Sequence, residues 1–199
     1  MHPALNRLNR ALARLPGVGK RSAERMALRL LQDGSGELAR ELMAAIHEAG
    51  TQLCRCKLCG NLTGTDRDPC VVCAHPDRDK TFLCVVEEAW DIELLEQAGG
   101  FKGLYFCLQG KLSPGKGQTV TSERLKMLVS RIHDHEIKEV LLALNADIES
   151  DATVNWLSEQ LEPLGVKVSR LALGIPAGSG VSYMDPVTLG RAIEARQSV

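Results

Sequence analysis

Cys56, Cys59, Cys70 and Cys73 form two CxxC pairs separated by ten residues. A CxxC turn lets two thiolates reach one ion, and the loop between the pairs can bring the second pair opposite the first. Four thiolates close a tetrahedral sphere, as in structural zinc sites; catalytic zinc keeps one position open for water. The expected cofactor is therefore a structural zinc ion. Two disulfides, or a redox CxxC, are the alternatives for the same residues. Cys54 has no CxxC partner, and Cys84 and Cys107 sit in apolar runs as packed thiols.

The second group is basic. Leu15-Pro16-Gly17-Val18-Gly19-Lys20-Arg21-Ser22-Ala23 places two glycines two apart before a helix start. Glycine permits a sharp turn and close backbone approach to a ligand. The N–H groups of such a turn can donate to phosphate oxygens. Arg21, Arg25 and Arg29 share one helix face, with Lys20 at the turn itself. The pattern resembles a helix-hairpin-helix, which grips the DNA backbone without reading bases. A plain glycine-rich turn would give the same local sequence with no ligand. Arg7, Arg10 and Arg14 on the preceding helix either extend the patch or solvate a face.

The third group is acidic. Glu87 follows the apolar run Phe82-Leu83-Cys84-Val85-Val86, and Asp147 follows Val140 to Leu144, with Glu149 and Asp151 just beyond. In parallel α/β sheets, ligands sit outside the carboxyl ends of strands. Carboxylates gathered there can hold Mg²⁺. Glu87 with Asn145-Ala146-Asp147 is similar to the Toprim pattern of topoisomerases and bacterial primases, a Glu followed by Asp-x-Asp. Asn145 stands where an active Toprim enzyme has Asp, and a neutral amide weakens the grip on Mg²⁺. A weak Mg²⁺ site without catalysis is expected. Glu149 and Asp151 also suit a helix start with no ligand at all. The alternative function is a Mg²⁺-dependent nuclease or primase-like enzyme, which needs Glu87 and Asp147 to hold the ion. The five histidines form no HxxH or HExxH pattern, Ser179 has no nucleophile-elbow context, and the Gly110 to Gly117 loop does not fit a P-loop.

The elements that must position these groups follow from periodicity. Residues 3–14 read as a helix with Leu5, Leu8, Leu12 and Leu15 on one face. Further helices are expected from Arg21 to Gln32 and from a Ser35 cap to about Gly50. After the cysteines, strands are expected at 82–86, 104–108, 140–144 and 166–171. Helices are expected between them at 88–98, from Thr121 or Ser122 to His135, and at 152–163. A last helix covers 186–196. Alternation of this kind implies an α/β layer with a mostly parallel sheet. The expected division is 1–53 for the hairpin region, 54–76 for the zinc module, 77–175 for the Toprim-like domain and 176–199 for a terminal loop and helix.

Charge separates the same parts. Residues 1–30 carry seven bases against one acid, or +6; the chain total of −1 leaves −7 for the rest. A basic end on an acidic body suggests a polyanion contact at one end only. Aromatic residues make up 4%, too few for a platform that stacks single-stranded bases. No apolar run reaches membrane-span length and no signal peptide is read, so a reducing cytoplasm is expected.

Helix-hairpin-helix, four-cysteine module and Toprim pattern in that order resemble the RecR family of bacterial recombination mediators. The resemblance rests on Leu15-Pro16-Gly17-Val18-Gly19 with Ser22-Ala23-x-Arg25-Met26-Ala27, on Cys59 to Cys73, and on Cys84-Val85-Val86-Glu87 with Asp91. Gly110-x-Leu112-Ser113-Pro114, Ala152-Thr153 and Gly174-Ile175-Pro176 add to it. The chain resembles a divergent member. Its loop between the cysteine pairs is two residues longer, and no Gly-Pro step follows Pro114. Asn145 to Asp151 replaces Asn-Pro-x-x-Glu-Gly-Glu, and Gly178-Ser179-Gly180 replaces a Gly-Gly-Glu-Leu-like run. The resemblance implies no enzymatic activity. It implies dimers and ring-shaped tetramers that encircle DNA, and action with RecO and RecF to load RecA on gaps coated by single-strand-binding protein. Arg21 and Arg25 match the family's DNA-contact positions, with Lys20 beside them. Glu87, Asp147, Glu149 and Asp151 fall where Toprim acids and a RecO-facing surface would be.

Overall fold

The computed structural model of the chain describes residues 1–32, 34, 36–112, 120–172 and 174–196. The expected cap Ser35 and the Ser113-Pro114 step lie outside the described residues. The chain divides into two compact units, 1–53 and 54–199.

The first unit is helical. α1 (Pro3–Leu12) begins with proline in the first turn, where a missing N–H costs no hydrogen bond, and His2 Nδ1 accepts from Ala4 N at 3.2 Å. It stops two residues short of the expected end. Leu15 N donates to Leu12 O and Val18 N to Leu15 O, both at 3.1 Å, and Gly17 has φ +74°. That positive φ is the conformation that glycine alone adopts freely. α2 (Lys20–Gln32) buries Ala23 and Ala27 completely. α3 (Glu37–Gln52) has Gly36 at its N-cap and buries none of its residues, leaving Leu38, Leu42, Met43 and Ile46 exposed.

β1 (Leu53–Arg55) begins on the last residue of the first unit, and with β2 (Leu62–Gly64) and α4 (Val71–Ala74) it surrounds the cysteines of the second. Then come β3 (Asp79–Val86), α5 (Ala89–Ala98), β4 (Gly103–Cys107), α6 (Ser122–Asp134), β5 (Glu139–Ala143), α7 (Ile148–Leu161), β6 (Lys167–Arg170) and α8 (Pro186–Glu194). The four long strands form one parallel sheet in the order β4-β3-β5-β6. Its residues alternate between two cores, as a period of two requires. Leu83, Val85, Phe106 and Leu142 pack with Leu128, Ile132 and Leu157 of α6 and α7, whereas Cys84, Val86 and Tyr105 pack with Ile92 of α5. Burial on both faces explains why β3, β4 and β5 read as apolar runs, whereas the edge strand β6 buries none of its residues. The expected α/β class, parallel sheet and helical amino-terminal region are all present.

Chain order places the site. The chain runs from β3 out to the edge strand β4, then crosses back to β5 on the other side of β3. Ligand crevices in open α/β sheets form where the order reverses in this way. The carboxyl ends of β3 and β5 meet there, with Val86 opposite Ala143.

Candidate nucleic-acid interface and metal centre

On the hairpin, one peptide unit turns about 100° around the helix, so residues two apart face nearly opposite directions. Ala23 and Ala27 are buried, and Arg21 and Arg25, two positions before each, are exposed. Arg29 extends this exposed face and Lys20 opens the helix. Ala23 N donates to Gly19 O at 2.9 Å, which makes Gly19 the residue before the first turn. The N–H groups of Lys20, Arg21 and Ser22 therefore have no partner within the helix. Among the described residues, no ion pair joins any of the seven basic groups of residues 1–30 to a carboxylate. The arrangement offers backbone donors and free cations to one polyanion.

The four cysteines converge. The sulfurs of Cys56, Cys59, Cys70 and Cys73 lie within 4.8 Å of one another, and Cys59 and Cys70 are 3.6 Å apart. Thiolates about 2.3 Å from one tetrahedral ion stand about 3.8 Å apart, so the donor set fits zinc. Cys54 turns away, its sulfur 3.7 Å from Gly64 O. Burial pushes the Cys84 thiol up to about 12 and raises that of Cys107, so neither is a ready thiolate. Asn61 N approaches Cys59 Sγ and Cys70 N approaches Cys56 Sγ, each at 3.4 Å, and Arg131 Nη2 lies 3.3 Å from Cys73 Sγ. N–H groups and a guanidinium aimed at sulfur favour the thiolate a metal requires.

The cysteine module is fastened to the sheet. Cys107 N, at the end of β4, donates to Cys59 O at 2.7 Å. Arg124 of α6 is 7% exposed; its Nε donates to Cys107 O at 2.7 Å and its Nη2 to Cys59 O at 2.8 Å. The guanidinium lies over the Phe106 ring, 4.0 Å from its centroid. Gly60 has φ +81°, and a Cβ there would collide with Arg124 Nη2 and meet Gln109 Nε2 at 2.7 Å.

At the carboxyl ends of β3 and β5 the acids come together, with one addition. Lys111 Nζ lies 2.8 Å from Asp147 Oδ2, 3.4 Å from Glu87 Oε1 and 3.6 Å from Glu149 Oε2. Asn145 Nδ2 donates to Glu87 Oε2 at 2.8 Å. Asp151 is not part of this group; it pairs with Arg191 at 2.7 Å and Arg170 at 3.1 Å. α7 starts four residues earlier than expected because Asp147 caps it: Asp147 Oδ1 accepts from Ser150 N at 2.8 Å. Glu149 and Asp151 thus lie in its first turn.

The Lys111 ammonium, then the Ser150 N–H, hold the Asp147 carboxyl at about 2, below its ordinary 3.8. A carboxyl lowered by folding stabilises the fold while it is ionised. Its contribution is complete above the ordinary value and fades as pH falls toward about 2. Asp147→Asn should therefore flatten the acid limb of stability between those two values, read by thermal melting across pH. An unchanged acid limb would show that the pair is not closed in solution.

Sequence reasoning missed Lys111, Arg124 and Arg131. Lys111 occupied the open position of Gly110-x-Leu112, and the two arginines belong to no motif in the sequence. Only the tertiary fold brings them to the acids and the cysteines.

Known proteins match this chain along nearly its whole length. Residues 5–50 match the family described as RecR, helix-hairpin-helix; residues 81–172 match the Toprim domain; residues 174–197 match RecR, C-terminal. Recombination protein RecR of Moorella thermoacetica is 48% identical over 195 residues, covering 98% of this chain and 96% of that protein. The protein of the same name from Deinococcus radiodurans is 43% identical over 197 residues, covering 99% and 87%. That of Bifidobacterium longum strain NCC 2705 is 41% identical over 194 residues, covering 98% and 96%.

Proposed function

The chain belongs to the RecR family of recombination proteins, and we propose that it is a DNA-binding mediator of recombinational repair. The observation that carries this reading is the exposed Arg21, Arg25 and Arg29 face of α2, set opposite the buried Ala23 and Ala27. Contact runs through the phosphate backbone of duplex or single strands and ignores sequence. The protein acts with RecO and RecF to load RecA at single-strand gaps, in the cytoplasm and on the nucleoid. Glu87, Asp147, Glu149 and Asp151 mark the RecO-facing surface in this reading, with Lys111, Arg170 and Arg191 interleaved among them.

Self-association into dimers and a ring-shaped clamp is part of the proposal. Exposed Leu42, Met43 and Ile46 on α3, and Val181, Tyr183 and Val187 near the carboxyl end, are the apolar surface that assembly would cover. Several basic hairpins facing one duplex raise effective concentration, so weak contacts hold together. Zinc, held by Cys56, Cys59, Cys70 and Cys73, is structural in this reading: four sulfurs leave no position for water.

The protein is not an enzyme in this reading. Asn145 and Lys111 count against a Mg²⁺-dependent nuclease or primase, since one is neutral and the other puts a positive charge among the acids. Described helices include none long and apolar enough to cross a membrane.

Lys20→Glu/Arg21→Glu tests the proposal. Reversing two phosphate-facing charges should weaken duplex binding by about 100-fold at low salt, read by fluorescence anisotropy. Unchanged affinity would overturn the assignment of the hairpin as the DNA contact.

A further inference from the structure

Carboxylates at the ends of β3 and β5 would hold a divalent ion by placing oxygens about 2.0–2.6 Å from one point. Lys111 brings its own cation to that point. Its ammonium approaches Asp147 at 2.8 Å, Glu87 at 3.4 Å and Glu149 at 3.6 Å, and its side chain is 14% exposed. The second oxygen of Glu87 is taken by Asn145 at 2.8 Å and Ser150 Oγ at 3.4 Å. The neighbouring backbone is fixed as well: Leu112 N donates to Thr153 Oγ1 at 2.9 Å.

We propose that Lys111 is the resident cation of this acid cluster, that it excludes Mg²⁺ from the carboxyl ends of β3 and β5, and that removing it opens a divalent-cation site. Mg²⁺ keeps near-octahedral oxygen ligation and gives up its waters reluctantly. To enter, it would have to expel a tethered ammonium from three carboxylates and meet Asn145 where a fourth negative charge would help. The residues of a Toprim metal site are thus present in part, but the space among them is filled by the chain itself. The consequence is structural: Lys111 and Leu112 tie the segment after β4 to the first turns of α7.

The test uses the full chain with its four-cysteine site loaded with zinc. Mn²⁺ uptake is followed by electron paramagnetic resonance, and Mg²⁺ by calorimetry. Wild type and Lys111→Arg should show no saturable site at millimolar ion. Lys111→Met should bind one Mn²⁺ per chain at least about tenfold more tightly than wild type, since a unit charge has left the ion's position. Adding Asp147→Asn should abolish that site. Melting curves check that the variants fold, and Lys111→Gln substitutes if the methionine variant does not. One Mn²⁺ per wild-type chain, lost in Asp147→Asn, would overturn the proposal. So would a folded Lys111→Met that binds none. The readout is metal rather than DNA, so failure here is separate from failure of the hairpin reading.

Discussion

Removing the metal from the four-cysteine site should unfold residues 54–76 and leave the parallel sheet in place. The module has almost no apolar core: its buried cluster is Cys56, Cys59 and Cys70, with only Val72 and Cys73 packed against it. β1, β2 and α4 span three or four residues each, far too short to persist alone. In such a module the metal's binding free energy is the folding free energy, about 10–16 kcal/mol for structural zinc in small finger peptides. The sheet is different, with fourteen buried residues in its larger apolar cluster. Chelation under reducing conditions should release one zinc per chain. Amide exchange should then accelerate to unfolded rates across 54–76 while β3 and β5 stay protected. Cys59→Ser should do the same without chelator. Persistent protection of 54–76 after metal release would show that the cysteines are held by something other than an ion.

Arg124→Met should cost about 3–5 kcal/mol, the sum of a stranded buried carbonyl and a lost cation–aromatic contact. Among the described residues the guanidinium has no carboxylate partner. Carbonyl oxygens of Cys59 and Cys107 accept from it, and Phe106 lies against its face. Removing it leaves the buried Cys107 carbonyl short of a donor, at about 1–3 kcal/mol, whereas Cys59 O keeps the Cys107 N–H. A desolvated cation over an aromatic face contributes about 2 kcal/mol more. Arg124→Lys should not rescue, because a compact ammonium cannot stack on Phe106 and fork between two carbonyls at once. Burial lowers the Arg124 pKa, yet a guanidinium stays charged in proteins, so the loss should be flat with pH near neutrality. Urea denaturation measures it. A loss below about 1 kcal/mol would place the join between module and sheet elsewhere.

These two sites differ in how far the sequence announced them. Cysteine spacing alone pointed to the four sulfurs that converge, because a CxxC turn is local and its geometry follows from four residues. β3, β4 and β5 were legible for a related reason: strands buried on both faces leave continuous apolar runs such as Leu83 to Val86. β1, β2 and α4 were not legible, since the converging cysteines and contacts with α6 hold them rather than any periodicity of their own. The start of α7 was misplaced because Asp147 was counted as a ligand residue following a strand, when it is also the helix cap. Lys111 and Arg124 carried no signal at all. Each acquires its role only when a residue 36 or 65 positions away in the chain, Asp147 or Cys59, folds against it. Long-range polar contacts of this kind have no period and no motif.

The central claim is that the α2 face of the hairpin meets DNA through phosphates. A salt titration of duplex binding, wild type against Lys20→Glu/Arg21→Glu, tests it most directly. Each phosphate neutralised by a cation contributes close to one unit to the slope of log affinity against log salt. The wild type should bind steeply with salt, and the double variant should bind more weakly with a slope shallower by about 2. Superimposable titrations for the two proteins would contradict the account.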